Sequence, residues 1–263
     1  MGQILNQPPV FALLLLLVLA VALELGYRVG AHLRIQEEPN RKEQMGTIRD
    51  GLFFLVSLVL GFSLALAAGR FADRRSLLIE EAVSVGTTYL RASTLPQPYR
   101  GHSQSLFREY VDTRLELDRA AHDDARFTEA SNRSKHIQEE LWGDASAVAQ
   151  SDRTAITAAY INSLNEMIDL HEKRVAAFEN RIPAPIWLMI AAVSVIAVFS
   201  RGMTLAARFW LTVVLIPLTI AIVVGLIADL DAPSTGLIRL DQRAMQRLHA
   251  DLRVEPAHVE LAH

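Results

Sequence analysis

The chain has 263 residues, a formal net charge of −3, no cysteine, and 51% hydrophobic against 21% charged residues. So large an apolar share is not compatible with charge spread evenly over a soluble surface, so the apolar residues must be gathered into runs. The missing cysteines exclude disulfide staples, thiolate metal sites and cysteine nucleophiles, and the slight acidity argues against general nucleic-acid binding.

Four such runs stand out at Val10–Tyr27, Gly51–Gly69, Ala184–Ser200 and Phe209–Ala228. Each is close to the roughly 20 residues that cross a hydrocarbon core about 30 Å thick. In the first, Ala20-Val21-Ala22 mimics a signal cleavage site, but MGQILNQPP ahead of it carries no Lys or Arg, so a retained helix is expected. Asn6 at the Ser/Thr position also breaks the myristoylation pattern. Glu24 is the only acidic or basic residue in the four runs. One turn from Tyr27, it reads as an interfacial acid.

The second run, GLFFLVSLVLGFSLALAAG, places Ser57, Gly61, Ala65 and Gly69 four residues apart. Small residues on one stripe let helix backbones approach closely in lipid, so these four are the expected packing positions. Phe54, Leu58 and Phe62 form an adjacent stripe that faces lipid, a neighbouring helix or a pore. Just beyond, Arg70 and Arg74 share a face while Arg75 turns aside. At a membrane mouth such a pair either concentrates anions or contacts phosphate headgroups.

Residues 71–183 read as helical throughout, with expected helices near 71–93, 103–122, 134–149 and 152–180. The last has the clearest pattern: Ile156, Tyr160, Leu164, Met167, Ile168, Val175 and Phe178 keep three-to-four spacing, with Ser151 or Asp152 as N-cap. Breaks are expected at LPQPYRG and in the polar stretch His122–Arg133.

The third run opens with IPAPIW, whose Trp187 suits an interfacial anchor. The fourth carries Pro217 in mid-span. Only RGMTLAAR joins them, which makes an antiparallel hairpin. The positive-inside count does not orient it. One topology places seven Lys and Arg near the inner ends (Arg28, Arg34, Arg41, Lys42, Arg49, Arg201, Arg208). The other places eight (Arg70, Arg74, Arg75, Lys173, Arg174, Arg181, Arg239, Arg243). Past the fourth run, Asp229 and Asp231 are either a hard-oxygen pair for Ca²⁺ or a solvated helix cap, and two carboxylates favour the cap. Glu255-Pro256-Ala257-His258 has a di-iron spacing, but its proline and terminal position forbid the helix face that spacing needs.

The resulting fold class is all-α: a polytopic membrane protein with four transmembrane helices and a helical insert between the second and third. Its expected divisions are an N-terminal transmembrane hairpin (1–70), the insert (71–183), a C-terminal transmembrane hairpin (184–228) and a tail (229–263). No GxSxG, HExxH or GxxxxGK[ST] occurs, so the chain does not read as an enzyme, and no cofactor or metal is expected. Two polar patches remain. NEMIDLHEKR, with Asn165, Glu166, Asp169 and Lys173, is explained by exposed pairing along a helix. Glu80, Glu81, Thr87, Thr88, Tyr89 and Arg91 suggest a buried structural network, and Glu81, Thr87, Arg91, Asn165 and Asp169 are its expected members.

LGFSLALAAGR, EEAVSVGTTYLRASTLPQPYR, LNEMIDLHEKR, IPAPIW and DLDAPSTGLIRLDQ, in that order, resemble the bacterial bestrophin-like domain family over about residues 45–245. Bestrophins are pentameric anion channels with four spans and cytosolic helices between the second and third. The resemblance therefore implies an inner-membrane protein with a cytoplasmic insert, which breaks the charge tie in favour of the eight. It also implies a homo-oligomer, a pentamer by analogy, with lipid and small inorganic anions as partners. Bestrophins carry a hydrophobic neck on the second span and an acidic calcium clasp after the fourth. Here the sequence flanking Phe54, Leu58 and Phe62 departs from that neck, and Asp229 with Asp231 is too small a set for the clasp.

Two functions follow as expectations. The first is an anion channel whose second span lines the pore, with Phe54, Leu58 and Phe62 gating by dewetting. The other is a membrane-anchored sensor or scaffold acting through its helical insert.

Overall fold

The computed structural model describes residues 7–119, 124–207, 210–232 and 236–253. Among them there are eight helices and no strand: α1 Pro8–His32, α2 Pro39–Ala92, α3 Tyr99–Arg119, α4 Asp124–Ser151, α5 Ala155–Glu179, α6 Ala184–Met203, α7 Trp210–Asp231 and α8 Arg243–Arg253. Arg208, the Glu255–His258 spacing and the first six residues lie outside the described residues. Stretches in α1, α2, α6 and α7 are long and apolar enough to cross a membrane.

The segments expected from sequence group into two compact units. The first joins Met1–Phe71 with Arg181–Ile238, so that both hairpins share one body; the second joins Ala72–Asn180 with Arg239–His263 and claims most of the tail.

In the apolar unit α1 begins on Pro8, where the fixed φ suits a first turn whose N–H would go unpaired anyway. It ends where Arg34 takes φ 48° and Ile35 N–H reaches back to Gly30 O at 3.1 Å. α1 packs along α6 and α7. Leu15, Leu19 and Leu23 share one buried cluster with Val56, Leu60 and Ala67 of α2, Ile190 and Ala197 of α6, and Val224 and Ile227 of α7. The α1–α6 crossing depends on glycine. A Cβ on Gly26 would stand 2.1 Å from Phe199 O, and one on Gly202 would stand 2.2 Å from Leu23 O. Trp187 is no interfacial anchor in this fold: it is buried, edge-on to Phe11 with ring centroids 5.4 Å apart. The loops after α1 and α6 meet, as Gln36 Nε2 donates to Thr204 O at 2.6 Å.

The polar unit is built on Val85, Phe107, Tyr110, Ile137, Leu141, Val148, Leu164 and Met167. α4 begins at Asp124, so much of the break expected over His122–Arg133 is helix. Ala130 and Ser134, one turn apart, are buried and keep that stretch on the core. The cap of α5 is Thr154, whose hydroxyl accepts from Thr157 N–H at 3.3 Å, rather than Ser151 or Asp152. Ser151 ends α4, and Asp152 instead accepts from the Thr157 hydroxyl at 3.2 Å. Ile156, expected on the core face, is exposed. α8 is tied to α3 by His249 Nε2 to Asp112 at 2.8 Å and by Arg108 Nε donating to Leu252 O at 3.0 Å.

Candidate functional site

The stripe on α2 comes first. Val56, Leu60, Ser63 and Ala67 are buried at three-to-four spacing, which turns the opposite face outward. On that face Phe54 is 70% and Phe62 69% exposed, with Leu58 between them also exposed. Ser57, Gly61, Ala65 and Gly69 are exposed too, and a Cβ added at Gly61 or Gly69 would meet nothing within 4 Å. Within one chain these small residues therefore pack against no other helix. The close crossing is made instead by Gly26, Gly30 and Gly202. The signal for it was the Gly26-x-x-x-Gly30 spacing, a standard small-residue motif that the length of the first run obscured.

The same helix in the polar unit continues the pattern. Leu78, Glu81, Val85, Thr88 and Ala92 are buried, while Ile79, Val83 and Leu90 are exposed. At 3.6 residues per turn, residues 54, 58 and 62 fall within an arc of about 80° in the apolar unit, and residues 79, 83 and 90 within an arc of about 40° in the polar unit.

The arginines do not form an open cationic mouth. Arg70 pairs with Asp231, Nη1 to Oδ1 at 3.5 Å, in the apolar unit. Arg74 is 1% exposed, and its guanidinium donates to Ala177 O and Asn180 O, each at 3.0 Å. Those carbonyls close the end of α5, where a helix concentrates negative potential. Arg74 is thus a helix cap, because carbonyls left without intrahelical partners must be satisfied by some donor.

Asp229 and Asp231 are not a solvated pair either: both are buried. Asp229 accepts from Leu237 N–H at 2.6 Å and Ile238 N–H at 2.8 Å, and Asp231 accepts from Ile182 N–H at 3.0 Å. Each carboxylate holds a turn of backbone. Among the described residues no three His, Cys, Asp or Glu side chains come together to hold a metal.

The densest polar chemistry lies inside the polar unit. Glu81 is wholly buried between two arginines: Arg114 Nε is 2.9 Å from Oε1, and Arg174 Nη1 donates to Oε2. Burial acts to raise the Glu81 carboxyl, but the two guanidiniums more than offset it and hold the group well below the ordinary carboxylate value. Burial lowers Arg174, against the pull of Glu81. The Tyr110 hydroxyl donates to Glu81 Oε1 at 2.8 Å, and burial together with that carboxylate raises it above the usual phenol range. Because Tyr110 has spent its one hydrogen, His171 Nδ1, 3.3 Å away, must be the donor to its oxygen. Among the described residues His171 Nε2 and Arg174 Nε find no hydrogen-bond partner.

Of the expected network, only Glu81 is in this cluster. Thr87, Arg91, Asn165 and Asp169 are exposed, and Arg91 donates to Ala159 O at 3.0 Å. Thr88, next to Thr87, is the buried one, donating to Ser163 O at 3.1 Å. His171 and Arg174 escaped notice because NEMIDLHEKR reads as a charged surface face. Leu164, Met167, His171 and Arg174 at three-to-four spacing would have marked them as inward.

Comparison with known proteins agrees with this architecture. A variant of a bacterial bestrophin homologue from Klebsiella pneumoniae, solved by crystallography, matches 91% of this chain and 96% of its own with a TM-score of 0.63 at 15% identity, which shows a shared fold. No curated protein matches the chain. The sequence pattern of the bestrophin-like domain matches residues 12–245, so it takes in the first span as well as the rest. The chain belongs to the bestrophin-like domain family.

Proposed function

We propose that the chain forms a homo-oligomeric membrane channel for small inorganic ions, with copies of α2 facing a common axis and the polar unit in the cytoplasm of a bacterial inner membrane. The exposed face of α2 carries the proposal. Lipid can cover Phe54, Leu58 and Phe62, but it does not cover Ile79, Val83 and Leu90 in a water-facing unit, and that exposed apolar stripe calls for a protein partner. A symmetric ring of copies would supply a partner for the exposed stripe in each unit. A single chain with four spans has too few helices to enclose a water path, so the axis must lie between copies. Apolar rings at Phe54, Leu58 and Phe62 would then gate by dewetting.

Anion preference, the reading the family resemblance favours, gains nothing from Arg70 or Arg74, since Asp231 and the α5 carbonyls occupy them. Selectivity is therefore a direct object of the test. Purified protein in liposomes should release chloride or nitrate, with sodium and potassium measured in parallel, and Phe62→Ala should release ions faster than wild type. The channel is lost if Phe62→Ala and Phe62→Ser, both correctly assembled, leak no more than protein-free vesicles. That result would favour a membrane-anchored sensor or scaffold acting through the polar unit.

A further inference from the structure

We propose that the apolar unit holds one anionic phospholipid, with an acyl chain in the groove between α2 and α7 and its phosphate at a basic pocket one turn beyond the groove. The groove encloses about 490 Å³, between Phe53–Leu64 of α2 and Leu215–Val223 of α7. At 1.5 Å per residue its walls are about 17 and about 12 Å long. That is about the depth of one leaflet, half of a core roughly 30 Å thick. A single acyl chain fits a groove of this length.

The lining chemistry favours hydrocarbon. Its two hydroxyls are spent within their own helices, Ser57 donating to Phe53 O at 2.9 Å and Thr219 to Leu215 O at 2.8 Å. The groove therefore asks an occupant for no hydrogen bond.

The end nearest Phe53 is basic. Arg49, one turn earlier on α2, lines a second pocket of about 360 Å³ with Lys42, Glu43 and Thr204. Arg49 is held at that wall by Asp50 at 2.8 Å and the Thr204 hydroxyl at 3.4 Å. The lining of this pocket holds Lys42 and Arg49 against Glu43, with Asp50 paired to Arg49 from outside the lining, so the lining itself carries an excess positive charge at headgroup depth. A phosphate there answers the charge of Lys42 and Arg49 while its chain enters the groove. An apolar helix from another subunit would leave that charge unanswered.

The inference does not depend on conduction; it needs only that this unit sits in a bilayer. Native mass spectrometry of the delipidated full chain in detergent, titrated with dioleoylphosphatidylglycerol or dioleoylphosphatidylcholine, tests it. Phosphatidylglycerol should reach the same single-adduct occupancy at about tenfold lower concentration, as expected for two cations near an anionic headgroup. The double variant Lys42→Gln/Arg49→Gln should erase that preference. Gly61→Leu, which fills the groove, should weaken both lipids at unchanged oligomeric mass, and Thr219→Leu on the opposite wall should do the same where Gly61→Leu does not assemble. Equal occupancy by the two lipids in wild type, or a preference that survives the double variant, would overturn the proposal. So would a groove-filling variant that breaks the oligomer and leaves lipid occupancy unchanged, because a second copy would then be the occupant.

Discussion

Gly26 and Gly202 meet backbone to backbone: a Cβ on Gly202 would stand 3.0 Å from Gly26 Cα and 2.8 Å from Tyr27 N. Backbone cannot step aside as a side chain can. Gly26→Leu or Gly202→Leu should therefore cost at least the about 1–3 kcal/mol typical of overpacking. Gly69→Ala, which meets open space, should be neutral within one chain. Thermal unfolding in detergent with size-exclusion profiles checks both. A Gly202→Leu protein as stable as wild type would show that α1 and α6 do not cross here.

Among the described residues Glu81 is the one carboxylate paired with both Arg114 and Arg174 in the buried cluster. Glu81→Gln leaves two buried cations without their counter-charge, and should cost about 3–5 kcal/mol. The pH dependence has a definite sign. The folded carboxyl sits below its unfolded value, so its stabilisation is fully present above the unfolded pKa of about 4.3 and is lost as pH falls through the lower folded value. The melting-temperature gap between wild type and Glu81→Gln should stay constant from neutral pH down to about pH 5 and close only in stronger acid. A gap that closes between pH 8 and 6 would contradict this.

Asp229 spends both oxygens on backbone N–H groups, and Asp231 serves Ile182 N–H together with Arg70. Asp231→Ala should cost about 3–5 kcal/mol by stranding the buried N–H and the arginine. Limited proteolysis should then cut near residues 181–183, where wild type resists. Because these oxygens are already committed, millimolar Ca²⁺ or a chelator should leave the melting temperature of the wild type unchanged. A clear Ca²⁺-dependent rise would show that the turn rearranges to bind the ion.

Val83 and Leu90 are 64% and 69% exposed on a single chain. If other copies cover them, Val83→Glu with Leu90→Glu should lower the oligomeric mass seen by light scattering while the helical circular dichroism is kept. Exposed apolar positions that instead face water would tolerate both charges with no change of mass.

The sequence by itself determined the four candidate spans and the all-helical class, because these rest on composition and helical period, which are local; the family was legible from the resemblance of whole strings in order. The start of the third span was legible from the prolines of IPAPIW, and α6 does begin at Ala184. Helix starts were misplaced where a polar stretch such as residues 124–133 concealed a narrow buried stripe through Ala130 and Ser134. Only the tertiary structure decided what the charged residues do. Arg74 looked like an anion site until the end of α5 supplied carbonyls to it, and Asp229 looked like a solvated cap until Leu237 and Ile238 turned back onto it. Glu81 and Thr87 read alike in sequence, yet one sits among Arg114, Tyr110 and Arg174 and the other is exposed. The physical reason is that a long polar side chain takes whichever partner desolvation leaves within reach, and those partners lie 33, 29 and 93 residues away along the chain.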